Sequence, residues 1–254
     1  MSDNHPARQT SHSFSRNHDS TAAGNASLYE KVLSRLPVPA GQNRTLKINY
    51  LLYLPKDYND RSAEKRWPLL FFLHGSGERG DNLEIVKNYG LPKLIEQGQD
   101  FPFIVVSPQC PANRRWIDIL DVLDGLYADI LENYRIDTDR VYLTGLSMGG
   151  QGVWYWTIAQ PERFAAIAPV CGRSNPGKAE VIRAVPAWVF HGAKDEVVPA
   201  SESFRMVEAL KKAGADVRMT LYPETGHNSW NEAYDTPELY SWLLEHSLKD
   251  RLQS

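Results

Sequence analysis

The chain has 254 residues, 42% of them hydrophobic, and a formal net charge of −3. That length supports one sizeable core, and the near-balanced charge offers neither a basic stripe for nucleic acid nor a polybasic patch for a membrane surface. No apolar run approaches the roughly 20 residues that span a bilayer, and the first residues lack the apolar core of a secretory signal, so a soluble, cytoplasmic protein without membrane insertion is expected.

Met1 to Ser27 is rich in Ser, Asn, His, Thr and Ala without apolar periodicity. Such a segment cannot bury enough surface to offset its ordering entropy, and a disordered tail over residues 1–27 is expected, followed by a single domain over 28–254. His5, His12 and His18 in this tail are irregularly spaced and lack clustered cysteines or carboxylates, so they are not read as a metal site.

From Leu28 a short amphipathic segment leads to Thr45–Leu54, where Leu46, Ile48, Tyr50 and Leu52 alternate as in a half-buried, antiparallel strand. Apolar runs follow at Pro68–Leu73, Phe101–Val106, Val141–Thr144, Ala165–Val170, Ala187–Phe190 and Val217–Leu221. Runs of this kind, separated by helical patterns, mark a parallel sheet buried on both faces. Helical periodicity spans Trp116–Tyr134, Ser201–Ala213 and Thr236–Leu248, the last opened by Thr236 as N-cap with Pro237 in the first helical position.

The chemistry centres on Val141 to Gln160. A buried strand, Val141-Tyr142-Leu143-Thr144, runs into Gly145-Leu146-Ser147-Met148-Gly149-Gly150, and a helix follows until Pro161 stops it. A strand reversing into a helix within so few residues leaves no room for side chains beside the central one, so Gly145 and Gly149 are required neighbours of Ser147. Ser147 then stands exposed on a strained elbow, as a nucleophile must.

A serine hydroxyl needs a base and an acid that holds that base in its productive tautomer. In the order nucleophile, acid, histidine, three histidines follow Ser147. His191 lies too close to the best acid to serve with it, and His246 falls inside the amphipathic C-terminal helix. His227, in Glu224-Thr225-Gly226-His227-Asn228, follows the last strand at the sheet edge where open α/β folds place their sites. Asp195, between the strand Ala187–Phe190 and Val197-Val198-Pro199, is the favoured acid, with Glu196 as its neighbouring competitor.

Acyl transfer also requires N–H donors aimed at the developing oxyanion. One is expected from Met148 at the helix start. The other is expected from His74-Gly75-Ser76-Gly77-Glu78-Arg79-Gly80, with Ser76 ahead of Gly77. This loop also spells Gly-x-Gly-x-x-Gly, but the dinucleotide fingerprint wants an acidic residue ending the next strand, which instead ends Ser107-Pro108-Gln109-Cys110. No cofactor and no metal are expected.

His74-Gly75, the Ser147 elbow, Asp195 with Val198-Pro199, and Gly226-His227 together resemble the α/β-hydrolase superfamily, in particular the phospholipase/carboxylesterase and dienelactone-hydrolase-like serine esterases, including the group labelled predicted peptidases. The likeness runs from about Lys47 to the C-terminus. It implies an α/β-hydrolase fold with an eight-stranded, mostly parallel sheet in the order 1-2-4-3-5-6-7-8 and helices on both faces, and it implies Ser147, Asp195 and His227 as nucleophile, acid and base. In that strand order Cys110 and Cys171 lie three strand spacings apart, roughly 14 Å at about 4.8 Å each, beyond disulfide reach, so both are expected as free, semi-buried thiols.

Trp116 resembles a tryptophan that lines the acyl pocket of related thioesterases, and clamping its helix to the sheet is the equal alternative. Trp230 either walls the pocket or braces the His227 loop. Glu78, Arg79 and Asp81 are candidate recognition groups or loop-ordering charges. The short segment Gly172–Val185 stands where many relatives insert a cap, which implies an open, lidless cleft for bulky or polymer-attached esters. The expected activity is that of a serine carboxylesterase acting through an acyl-enzyme, losing activity as falling pH protonates His227. A peptidase, a thioesterase or feruloyl- or acetylxylan-type esterase, and a catalytically silent binding protein are the alternatives.

Overall fold

The computed structural model describes residues 27–33, 47–59 and 64–251. The expected tail, its three histidines included, lies outside them up to residue 26. Eight strands form one sheet: β1 (Leu28–Leu33), β2 (Ile48–Tyr53), β3 (Trp67–Leu73), β4 (Ile104–Pro108), β5 (Ile136–Leu146), β6 (Ala166–Val170), β7 (Ala187–Gly192) and β8 (Val217–Tyr222). Their order is β1-β2-β4-β3-β5-β6-β7-β8, as the resemblance implies. β2 pairs antiparallel with β1 and β4, and the remaining pairs are parallel.

Strand alternation sorts the core into two layers. Leu69, Phe71, Leu73, Val141, Leu143, Ile167 and Val189 point to one face, where they meet helices α2 (Leu120–Asn133), α3 (Met148–Ala159) and α4 (Ser201–Lys212) through Leu123, Leu126, Ile130, Val153, Trp154, Trp156, Met206 and Leu210. Leu70, Phe72, Tyr142, Ala166, Ala168 and Phe190 point to the other, against α1 (Gly90–Glu96), α5 (Trp230–Tyr234) and α6 (Pro237–Leu244). A last short helix, α7, covers Leu248–Arg251. Each fully buried Leu or Phe of these layers stabilises the fold by about 1.5–3 kcal/mol.

Several boundaries differ from the pattern-based expectation, each for a physical reason. The amphipathic segment at Leu28 is the edge strand β1, whose backbone pairs with β2 although its side chains stay largely exposed. β5 begins five residues before Val141, because Ile136 pairs with Trp67 ahead of an irregularity in register, and its polar residues 137–140 hide that extension. The C-terminal helix is interrupted after Leu244. Thr236 does occupy the N-cap with Pro237 behind it, but its hydroxyl donates to Glu232 O instead of capping the helix.

Candidate active site

Ser147 sits between the end of β5 and the start of α3 with φ 53° and ψ −112°. Small neighbours permit this turn. A Cβ on Gly149 would fall 1.8 Å from Leu73 O, and one on Gly145 would fall 2.7 Å from the same atom. Ser147 N–H donates to Val170 O at 2.9 Å, locking the elbow to the end of β6.

Two loops beyond β7 and β8 complete the constellation. His227 Nε2 lies 2.8 Å from Ser147 Oγ, and its Nδ1 lies 2.7 Å from Asp195 Oδ2. Asp195 Oδ1 accepts the N–H groups of Val197 and Val198 at 2.9 and 2.8 Å. Burial alone would push the Asp195 carboxyl up; the His227 hydrogen bond and the two backbone donors outweigh it and hold the pKa below the usual carboxylate range. Sequence reasoning thus names the three residues that the fold brings together from positions 147, 195 and 227. The competitor Glu196 is exposed beside them. His246 lies far along the C-terminal segment with Nδ1 on Trp242 O, and His191 is buried on the other side of Asp195, against α4.

A cleft of about 320 Å³ opens over Ser147, lined by Ser76, Arg79, Arg115, Met148, Gln151, Arg173, Val197 and Val198. Ser76 and Met148, the two expected oxyanion donors, both face it. Met148 is the first residue of α3, so its N–H is among those a helix start leaves without an intrahelical partner. The segment after β6 forms only a short 3-10 turn, Pro176–Ile182.

Neither tryptophan, expected as a substrate-binding residue or as a structural brace, lines this cleft. Trp116 is 0% exposed; its Nε1–H donates to His74 O at 2.9 Å, and it packs on Gly152 of α3. It is the clamp and not the wall, because no part of the ring reaches solvent. Trp230 stands edge-on to the His227 imidazole, with ring centroids 5.3 Å apart, and also meets Tyr89 at 5.7 Å. It braces the histidine loop. Glu78 is buried under the loop that carries Ser76, and burial pushes its carboxyl up. Arg79 orders that loop by donating to Ser76 O at 2.9 Å and faces the cleft as well.

Arg115, Gln151 and Arg173 escaped the sequence reading, whereas Val197 and Val198 were named there as the flank of Asp195. Gln151 alone had a usable signal, lying one helical turn beyond Ser147. The others come from loops that adjacency in the sheet, not in the chain, draws together. Arg115 hydrogen-bonds Gln151 across the cleft floor.

Donor atoms of Cys171, Asp195 and His227 lie within 4.8 Å of one another, a grouping that could in principle hold a metal ion. It fits poorly. Burial pushes the Cys171 thiol up to about 12, whereas a metal would require the thiolate, and the Asp195 oxygen is already committed to His227. Cys110 and Cys171 are both free and fully buried, more so than expected. Among the described residues no helix is long and apolar enough to cross a membrane.

Residues 115–239 match the dienelactone hydrolase family. The bifunctional acetylxylan esterase/xylanase XynS20E of Neocallimastix patriciarum is 28% identical over 181 residues, covering 69% of this chain and 26% of that protein. An endo-1,4-beta-xylanase/feruloyl esterase of Xylanibacter ruminicola is 28% identical over 193 residues, with the same shares of 69% and 26%. The chain therefore spans about a quarter of the length of these relatives. The crystal structure of a thermostable esterase superposes with a TM-score of 0.72 at 32% identity, covering 87% of this chain and 63% of that one.

Proposed function

Because the chain carries a domain of the dienelactone hydrolase family on an α/β-hydrolase sheet, we propose that it is a serine carboxylesterase. The observation that carries this reading is the unbroken hydrogen-bond chain from Ser147 Oγ through His227 to Asp195, at 2.8 and 2.7 Å, with its serine at the floor of a cleft.

In the proposed mechanism, Ser147 Oγ attacks the ester carbonyl while His227 Nε2 takes the hydroxyl proton. Asp195 holds His227 through the Nδ1–H bond and stabilises the imidazolium that forms. The tetrahedral oxyanion is received by the N–H groups of Ser76 and Met148. His227 then returns the proton to the leaving alcohol, an acyl-enzyme remains on Ser147, and water activated by the same histidine releases the acid. Every step uses groups of this chain, so the proposed reaction requires no cofactor.

Esters carried on a polymer are the proposed substrate class, supported by the open cleft and by the acetylxylan and feruloyl names of the two relatives. An ester panel that varies acyl and alcohol parts independently, run beside peptide anilides, tests the reading. Ester hydrolysis lost by at least about 10³-fold in Ser147→Ala is expected. Anilide cleavage exceeding ester cleavage would make the chain a peptidase. Inertness to both, with no covalent labelling of Ser147 by a fluorophosphonate, would leave only a binding role.

A further inference from the structure

Asp195 is gripped by a second histidine. His191, next to last in β7, is fully buried, with Nε2 lying 2.8 Å from Val198 O and 3.1 Å from Asp195 Oδ2. A carbonyl oxygen can only accept, so Nε2 carries a hydrogen, and that hydrogen is shared with the Asp195 carboxylate. In the neutral ring Nδ1 is then an acceptor, facing the Ser203 hydroxyl at 2.7 Å in the first turn of α4. We propose that His191 is a positioning residue of the active site, coupling Ser203 and α4 to the acid of the triad. The proposal rests on the esterase reading of Ser147, His227 and Asp195.

Two consequences follow from this geometry. The first is orientation. Val197 and Val198 N–H groups hold Asp195 Oδ1, and the Val198 carbonyl takes the same Nε2–H that reaches Oδ2. The turn 195–198 is thereby closed around the imidazole, and the carboxylate is left one direction in which to meet His227. The end of the same strand also holds the histidine loop: a Cβ on Gly192 would fall 2.1 Å from Gly226 O, and Lys194 N–H donates to Thr225 O at 2.9 Å.

The second is electrostatic. A donor on Oδ2 draws off part of the negative charge that Asp195 presents to the His227 Nδ1–H. Among the described residues, the Cys171 thiol has its donor atom within 4.8 Å of those of the pair, and it is buried. Arg79, Arg115 and Arg173 face the pair from the cleft over Ser147. Lys194 pairs with Glu224, Glu202 beside Ser203 pairs with Arg205, and Glu196 is exposed.

The test uses the full chain and two readouts over a range of pH: kcat and KM for a short p-nitrophenyl ester, and the rate at which a fluorophosphonate labels Ser147. His191→Leu removes the hydrogen bonds to Asp195, Val198 O and Ser203 while keeping an apolar volume. It is expected to lower kcat and the labelling rate by about 10- to 100-fold, the size of a lost hydrogen bond to a charged group, with KM little changed. The acid limb of the pH profile should move to higher pH, because the relieved carboxylate holds the His227 proton more tightly. His191→Gln can place its amide N–H near the position of Nε2 and is expected to recover to within a few-fold of the wild type. A folded His191→Leu with wild-type kcat and acid limb overturns the proposal. If His191→Leu does not fold, Ser203→Ala decides: a smaller shift of the acid limb in the same direction supports the coupling, and an unmoved limb overturns it. A wild type that neither hydrolyses esters nor labels at Ser147 overturns the esterase reading itself, an outcome the variant-to-wild-type ratios cannot mimic.

Discussion

Ser147 and Cys171 are the two non-glycine residues with positive φ among the described residues, at 53° and 42°, and they directly follow the paired strand ends Leu146 and Val170. Each is tied to the next strand over, Ser147 N–H to Val170 O at 2.9 Å and Cys171 N–H to Phe190 O at 2.8 Å. Strained backbone of this kind costs about 1–3 kcal/mol per residue and persists only where the surroundings over-determine it. Here the strain turns Ser147 out of the sheet edge while the thiol of Cys171 packs beneath Asp195 and His227.

Replacing Ser147 by glycine removes both the hydroxyl and the Cβ that makes this conformation costly. Ser147→Gly is therefore expected to be more stable than Ser147→Ala by about 1 kcal/mol, after the extra chain entropy of glycine is allowed for. Both should lose at least about 10³-fold in ester turnover. Urea unfolding midpoints of the two variants check this, and a Ser147→Gly midpoint below that of Ser147→Ala would mean that the elbow stores no strain.

His74 makes stability depend on acid. It is almost fully buried, with Nε2 accepting Cys110 N–H at 2.9 Å and Nδ1 donating to Gly75 O at 2.6 Å. Burial, with Arg79 adding to it and the Gly75 carbonyl opposing, lowers its pKa from 6.5 to about 4. The folded-state pKa lies below the unfolded one, so the contribution is complete above the unfolded value and is lost as pH falls toward about 4, where the folded state also protonates. The total is roughly 3 kcal/mol. Asp195, held below the usual carboxylate range, adds a loss of the same sign at still lower pH. Denaturation at pH 7 and pH 5 should show the wild type losing stability between them, and His74→Gln should show a smaller loss. Equal losses in the two proteins would refute the assignment to His74.

The elbow was legible because it is local: a β-branched and aromatic strand, glycines at fixed offsets and a helix all fall within twenty residues. Asp195 and His227 were legible by chain order and by their place after strands. The sheet order was not, since apolar runs do not say which run lies beside which, and it came only with the family likeness. Trp116 shows the limit most plainly. A tryptophan opening a helix reads the same whether it walls a pocket or fills a core, and the carbonyl of His74 decides the matter. Its neighbour Arg115 faces the cleft instead. His191 was set aside for standing four residues from Asp195, yet the turn 195–198 folds the acid back onto that ring.

From the position of Trp116 follows a prediction about selectivity. Trp116→Phe keeps most of the packing but removes the N–H that holds His74 O at the base of the oxyanion loop. A hydrogen bond of about 1 kcal/mol corresponds to roughly a fivefold loss, expected in kcat across all esters alike. Trp116→Ala leaves a large void and should destabilise the fold by about 3–5 kcal/mol. Acyl-length profiles of Trp116→Phe and wild type check the distinction, and a changed profile would place the ring in the substrate's path after all.

The cleft carries a positive field in a protein of net negative charge. Arg79, Arg115 and Arg173 line it without an acidic lining residue, and among the described residues none of the three has a carboxylate within salt-bridge distance. Elsewhere Arg140, Arg163, Arg183 and Arg205 each pair with an aspartate or glutamate. Arg79 and Arg115 are partly engaged, by backbone carbonyls and by Gln151, which fixes them in place without neutralising them. An ester bearing a carboxylate should therefore be favoured over its neutral counterpart by about tenfold in kcat/KM at low ionic strength. The preference should shrink as added salt shortens the screening length from about 30 Å at 0.01 M toward about 8 Å at 0.15 M. Arg173→Ala should remove part of it while leaving the neutral ester's kcat unchanged, since Arg173 touches none of Ser147, His227 and Asp195 in the hydrogen-bond chain. Paired p-nitrophenyl esters, one an acetate and one a succinate half-ester, assayed at both ionic strengths, decide the matter: equal kcat/KM for the two, insensitive to salt, would show that the three guanidinium groups do not reach the substrate.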